Sequence, residues 1–174
     1  MSIYIRNHKK NHMKNGTFTL RSNDLGGIGV LEQAHPRCGG ENKSPQLYWT
    51  NPPEGVKSFA VTMYDKDAPS GSGFWHWLLF DLPPTTRELP TDAGNTSKHI
   101  APGDAIQSRN DGGSYGYSGP CPPPGDNWHA YVITVYALDI QKLQSDKEAL
   151  PAQVGLELWK HTLEKASVIF YYKI

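Results

Sequence analysis

A chain of 174 residues with 17 Lys and Arg against 17 Asp and Glu has no net charge, so no global field draws it to nucleic acid or to an anionic membrane surface. No run approaches the ~20 apolar residues of a membrane-spanning helix, and the length fits one domain able to bury a sizeable core. The abundance of glycine (17), proline (14) and aromatic residues (11%) predicts strands joined by many tight turns.

In chain order, residues 1–15 hold Arg6, Lys9, Lys10 and Lys14 with no acid and read as a disordered basic tail ahead of a single domain over 16–174. The N-terminus has no apolar signal region, so a cytoplasmic location follows by default. A short strand is expected over 17–20, a Gly-rich turn over 26–29, a loop over 35–40 and a strand over 46–49 ended by Asn51-Pro52-Pro53. The chain then centres on 58–82. Phe59, Val61 and Met63 alternate with smaller or more polar neighbours, and Trp77 to Leu82 is nearly continuous apolar, the mark of a strand covered on both faces. Pro83-Pro84 ends it, because proline cannot donate to a ladder. Residues 84–125 are long and irregular, which a compact domain seldom carries without using. A strand follows over 131–138. Ser145-Asp146-Lys147-Glu148 resembles a capping box, and 151–165 reads as a helix with Leu156, Trp159, Leu163 and Ala166 on one stripe. Residues 166–174 close the chain as a strand. These elements predict a mainly β, antiparallel sandwich with one or two short helices near the C-terminus. Cys38 and Cys121 belong to no CxxC pair, and spacing alone leaves open whether they join.

The familiar catalytic signatures are absent: no GxSxG, Walker A loop, HExxH or GxGxxG. Chemistry-bearing residues gather instead at strand ends. If the two central strands pair as antiparallel neighbours, Asp65 and His76 share one sheet edge, and His129 and Tyr131, two apart, face the same side. Imidazole, loop N–H groups and a tyrosine hydroxyl suit a small anion. Asp65 would orient one histidine and raise its pKa, while the other stays neutral and donates through its N–H. Two histidines and two aspartates also allow zinc, and a His/Asp pair allows a hydrolase, with Cys121 as the one evident nucleophile. Asp67 before Ala68-Pro69 is explained by its turn alone. His35, His99 and His161 read as ordinary polar residues, and Trp75, Trp77 and Trp128 as core or pocket wall.

Several ordered segments resemble the phosphatidylethanolamine-binding protein family, also called the Raf kinase inhibitor family, in its bacterial branch. They are Asp65-Lys66-Asp67-Ala68-Pro69, Gly73-Phe74-Trp75-His76-Trp77, Gly119-Pro-Cys-Pro-Pro-Pro-Gly125 and His129-Ala130-Tyr131. Asn42-Lys-Ser-Pro45 through Trp49 is similar to that branch's "ENISP…LSW", and Gln107 through Asp111 to its "QGRND"; together the likeness runs over about 17–174. It implies a β-sandwich with a small anion pocket formed by Asp65, His76, His129 and Tyr131, with Asp67, Pro69 and Gly119 at the rim. It implies phosphate, a phosphorylethanolamine head group or acetate as ligand, no cofactor, and regulation of a partner protein such as a kinase. It also implies a cis Ala68–Pro69 bond. Departures are Lys66 where the family has proline in "DPDAP", Ala130 where it has arginine in "HRY", and an end at Ile174 without the C-terminal helix of the animal members.

Overall fold

The computed structural model describes residues 16–174, so the tail expected over 1–15 lies outside the described residues. The elements in order are β1 (Thr19–Arg21), β2 (Leu47–Thr50), β3 (Ser58–Asp65), β4 (Phe74–Leu82), β5 (Glu88–Leu89), β6 (Ile106–Gln107), β7 (His129–Leu138), α1 (Pro151–His161) and β8 (Thr162–Tyr172). They make two antiparallel sheets, a small one ordered β1-β2-β5 and a large one ordered β6-β4-β3-β7-β8. The antiparallel sandwich expected from the strand pattern is the fold observed, with one α-helix near the C-terminus.

Between the sheets lies the main core, where Trp49 and Leu20 of the small sheet meet Phe59, Met63, Trp77 and Val135 of the large one. Burying each such side chain contributes roughly 2–3 kcal/mol. The far face of β3 and β4 is apolar as well. Ala60, Leu78 and Phe80 there pack under Val154 and Leu158 of α1. The unbroken apolar run of β4 therefore has two coverings, as its composition demands.

The helix departs from expectation. It ends at His161, and the residues facing the sheet are Pro151, Val154 and Leu158, while Leu156 and Trp159 point to solvent. Leu163 and Ala166 belong to β8. The helical spacing admits a second apolar stripe, Pro151, Val154 and Leu158, and that is the one packed over Phe80 and Leu78. The capping box over 145–148 is not used either. Leu150 N–H is held by Gln153 Oε1 at 2.9 Å, while Glu148 accepts from Tyr115 and Arg109. No described peptide bond is cis, so Ala68–Pro69 is trans, correcting the family-based expectation. Its turn is closed without isomerisation, by Asp67 N–H to Asp65 Oδ1 and Ser70 N–H to the Ala68 carbonyl.

Candidate functional site

β3 ends where its two neighbours begin. Asp65 stands in register with Phe74 of β4 on one side and with Tyr131 of β7 on the other. Histidines near the starts of those strands are thereby brought to either side of one carboxylate. A bulge sharpens the placement. Met63 pairs with Trp77, but Tyr64 pairs with Trp75, so His76 is an extra residue in β4. Trp77 can then enter the core while Trp75 packs at a tilt against Tyr64 at the outer face, 4.8 Å between ring centroids. Bulges re-aim side chains beside sites, and this one frees His76 for the cleft.

The cleft has room for about 240 Å³. His76, His129, Tyr131 and Asp65 form its base, Ala68 and Pro69 one wall, and residues 118–123 with His35 and Arg37 the other. Tyr131 is buried between His76, 5.3 Å away edge-on, and Phe170, stacked at 5.2 Å. Burial first, and the Asp65 charge second, push its hydroxyl pKa well up, so it remains a phenol.

The two histidines differ sharply. His129 Nδ1 donates to Asp65 Oδ2 at 2.8 Å and Nε2 to Asp126 Oδ2 at 3.2 Å. Burial alone would lower its pKa; hydrogen bonds to the two carboxylates outweigh that and raise it. With a carboxylate facing each ring nitrogen, His129 is placed to donate from both and has neither N–H left for a ligand. His76 is held by a carbonyl, Ser118 O, 2.7 Å from Nδ1. A carbonyl only accepts, so Nδ1 carries the hydrogen and Nε2 keeps its lone pair. Burial lowers His76 to about 4, with Ser118 and Asp65 opposing only in part. Its Nε2 has no hydrogen-bond partner among the described residues and belongs to a ring that lines the cleft.

The rim is a stapled loop pair. Asn42 accepts Gly119 N–H at 2.7 Å and donates to Tyr117 O at 2.9 Å, joining the 118–123 segment to the 35–42 loop. Gly119 must lack a side chain, because a Cβ there would stand 2.1 Å from Gln33 O. Cys38 and Cys121 form a disulfide, with Cα atoms 5.7 Å apart, which closes the question that spacing left open.

Six of the seven anticipated site residues line this cleft: Asp65, His76, His129, Tyr131, Pro69 and Gly119. Asp67 does not. Its carboxylate pairs with Lys66 at 2.7 Å and accepts Ala130 N–H at 2.9 Å, interactions that hold its pKa below the usual range and brace the wall from behind. His35, read as an ordinary loop residue, stands at the cleft, as does Arg37, while Asp126 meets the far nitrogen of His129 without lining the cleft. Pairing of the two loop cysteines was the signal that would have brought the 35–38 turn to the site. Among the described residues no three His, Cys, Asp or Glu side chains converge as metal ligands.

The chain is thus a two-sheet antiparallel sandwich whose strand ends gather an aspartate, two unlike histidines and a tyrosine under a Gly/Pro loop. The family model described as phosphatidylethanolamine-binding protein matches residues 21–173, and the chain belongs to that family. It is 42% identical over 164 residues to the UPF0098 protein YbcL of Escherichia coli K12, spanning 94% of this chain and 85% of that protein. To the UPF0098 protein YbhB of the same organism it is 44% identical over 153 residues, 86% of this chain and 96% of the other. The crystal structure of E. coli YbcL, described as a new member of the mammalian PEBP family, matches with a TM-score of 0.88 at 41% identity, covering 90% of this chain and 98% of that one.

Proposed function

We propose that the chain is a binding protein for a small anion, phosphate or a phosphorylated head group, and that it takes this ligand in a protonated form without turning it over. The carrying observation is the bare Nε2 of His76, a hydrogen-bond acceptor in a buried ring that lines the cleft. A fully deprotonated anion brings only lone pairs to that nitrogen. A phosphomonoester monoanion brings one P–O–H to meet it, or His76 takes up a proton as the dianion binds; relative to the free dianion, both routes consume one proton. Hydrolysis has less support, since Cys121, the nucleophile considered for it, is consumed in the disulfide. A phosphorylated residue of a partner protein offers the same group, and regulation of a kinase or other partner is proposed through that contact.

No helix among the described residues is long and apolar enough to cross a membrane. The cytoplasmic location expected by default sits poorly with a Cys38–Cys121 bond, which oxidising compartments maintain. We place the working protein in such a compartment.

Calorimetric titration with phenyl phosphate, whose dianion carries no P–O–H, between pH 8 and pH 5 tests the binding reading. Affinity should rise as pH falls, by up to about tenfold per unit for one linked proton. No heat at millimolar phenyl phosphate across the range would overturn it, and binding that strengthens toward pH 8 would overturn the protonated form.

A further inference from the structure

The base of the cleft is short of positive charge for an anion. His129 is flanked by two carboxylates, Asp65 and Asp126, and has no N–H left to give. Two of the nearby backbone donors are also spent: Gly119 N–H goes to Asn42 and Ser118 N–H to the His76 carbonyl. Pro69, Pro122 and Pro123 have none to offer. Lys66 is held by Asp67.

One cation remains on the lining. Arg37 is exposed at the cleft, and its guanidinium has no ion pair or hydrogen bond among the described residues. Its backbone, by contrast, is fixed from three directions. The Arg37 N–H bonds His35 Nδ1 at 3.1 Å, Gly39 in the left-handed region (φ 78°) closes the turn onto the Pro36 carbonyl, and Cys38 is bonded to Cys121 on the neighbouring lining segment. A free head on an anchored base is poised to meet a ligand without first choosing among loop conformations.

We propose that Arg37 is the specificity-determining cation of this cleft, reading two oxygens of a phosphomonoester monoanion while the remaining P–O–H meets His76, and that the Cys38–Cys121 bond holds it in place for that contact. This rests on the anion reading given above and adds to it the residue that selects charge. A planar guanidinium presents two parallel donors to a phosphoryl group, which a lysine cannot reproduce.

The test is calorimetric titration of the full chain with inorganic phosphate and with phenyl phosphate at pH 6, at low and high salt. Arg37→Gln should weaken both ligands by on the order of tenfold and flatten the salt dependence, with Arg37→Lys falling between. Mild reduction of the disulfide should weaken the native protein and leave Arg37→Gln unchanged. If the native protein binds and Arg37→Gln binds equally well, the proposal is overturned and the anion reading survives. If reduction weakens both proteins alike, the tether is overturned. If the native protein binds neither ligand, the anion reading itself fails and takes this proposal with it.

Discussion

The cleft has two unlike halves. On one side the chain answers its own charges: His129 is sealed between Asp65 and Asp126, and Tyr131 stacks beside it. On the other, His76 is anchored by one nitrogen with the second bare, and the Arg37 guanidinium lines the cleft without a partner among the described residues. The contrast separates polar groups that hold the fold from those left for a ligand. A histidine with both nitrogens satisfied is part of the scaffold, even when it lines a pocket.

The largest effect should come from breaking the sealed half. Asp65→Ala leaves a buried imidazole with one partly exposed carboxylate partner and should cost about 3–5 kcal/mol of stability, read by urea denaturation at pH 7. His76→Gln removes a single hydrogen bond to Ser118 and should cost about 1 kcal/mol. Equal losses from the two variants would erase the distinction between the halves.

Acid should separate them next. The pKa of His76 is about 4 in the folded chain against 6.5 unfolded, so between those values the unfolded state binds more protons and stability falls as pH falls, by at most about 3 kcal/mol. His129 works in the opposite sense. Its folded pKa is raised, so its contribution is fully present below the unfolded 6.5 and is lost as pH rises through the folded value. His76→Gln should therefore flatten the acid limb of a stability–pH curve and leave the alkaline limb of the native protein intact. An unchanged acid limb would put the bare ring elsewhere.

Asp126 should give the smallest change in stability. Its side chain is 41% exposed and solvent screens the pair, so Asp126→Asn should shift the denaturation midpoint least of the three variants. Removing that negative charge should still tighten phosphate a few-fold in titration, because the base of the cleft is over-supplied with carboxylates. Weaker phosphate binding would mean that Asp126 contacts the ligand rather than opposing it.

How much of this could be read from the residues follows the same division. The long strands were legible because β3 alternates and β4 is apolar on both faces, and pairing them put Asp65 and His76 at one edge. His129 and Tyr131 share a face for the same reason of period two. The bulge at His76 was not legible, since an extra residue in a continuous apolar run leaves the pattern unchanged. Nor was the helix face, because α1 carries apolar residues on both sides and only tertiary packing against Leu78 and Phe80 chooses Val154 and Leu158. Arg37 was missed because it reaches the cleft through a bond between residues 83 apart in sequence, a contact no local pattern encodes.

The most direct measurement is the ¹⁵N spectrum of the histidine rings at pH 7, followed through a phosphate titration. His76 should show a protonated Nδ1 and an unprotonated Nε2, His129 should show both nitrogens protonated, and added phosphate should move the His76 Nε2 signal first and furthest. A protonated Nε2 on His76 in the free protein, or a titration that moves His129 while leaving His76 still, would contradict the division of the cleft into a sealed half and an open one.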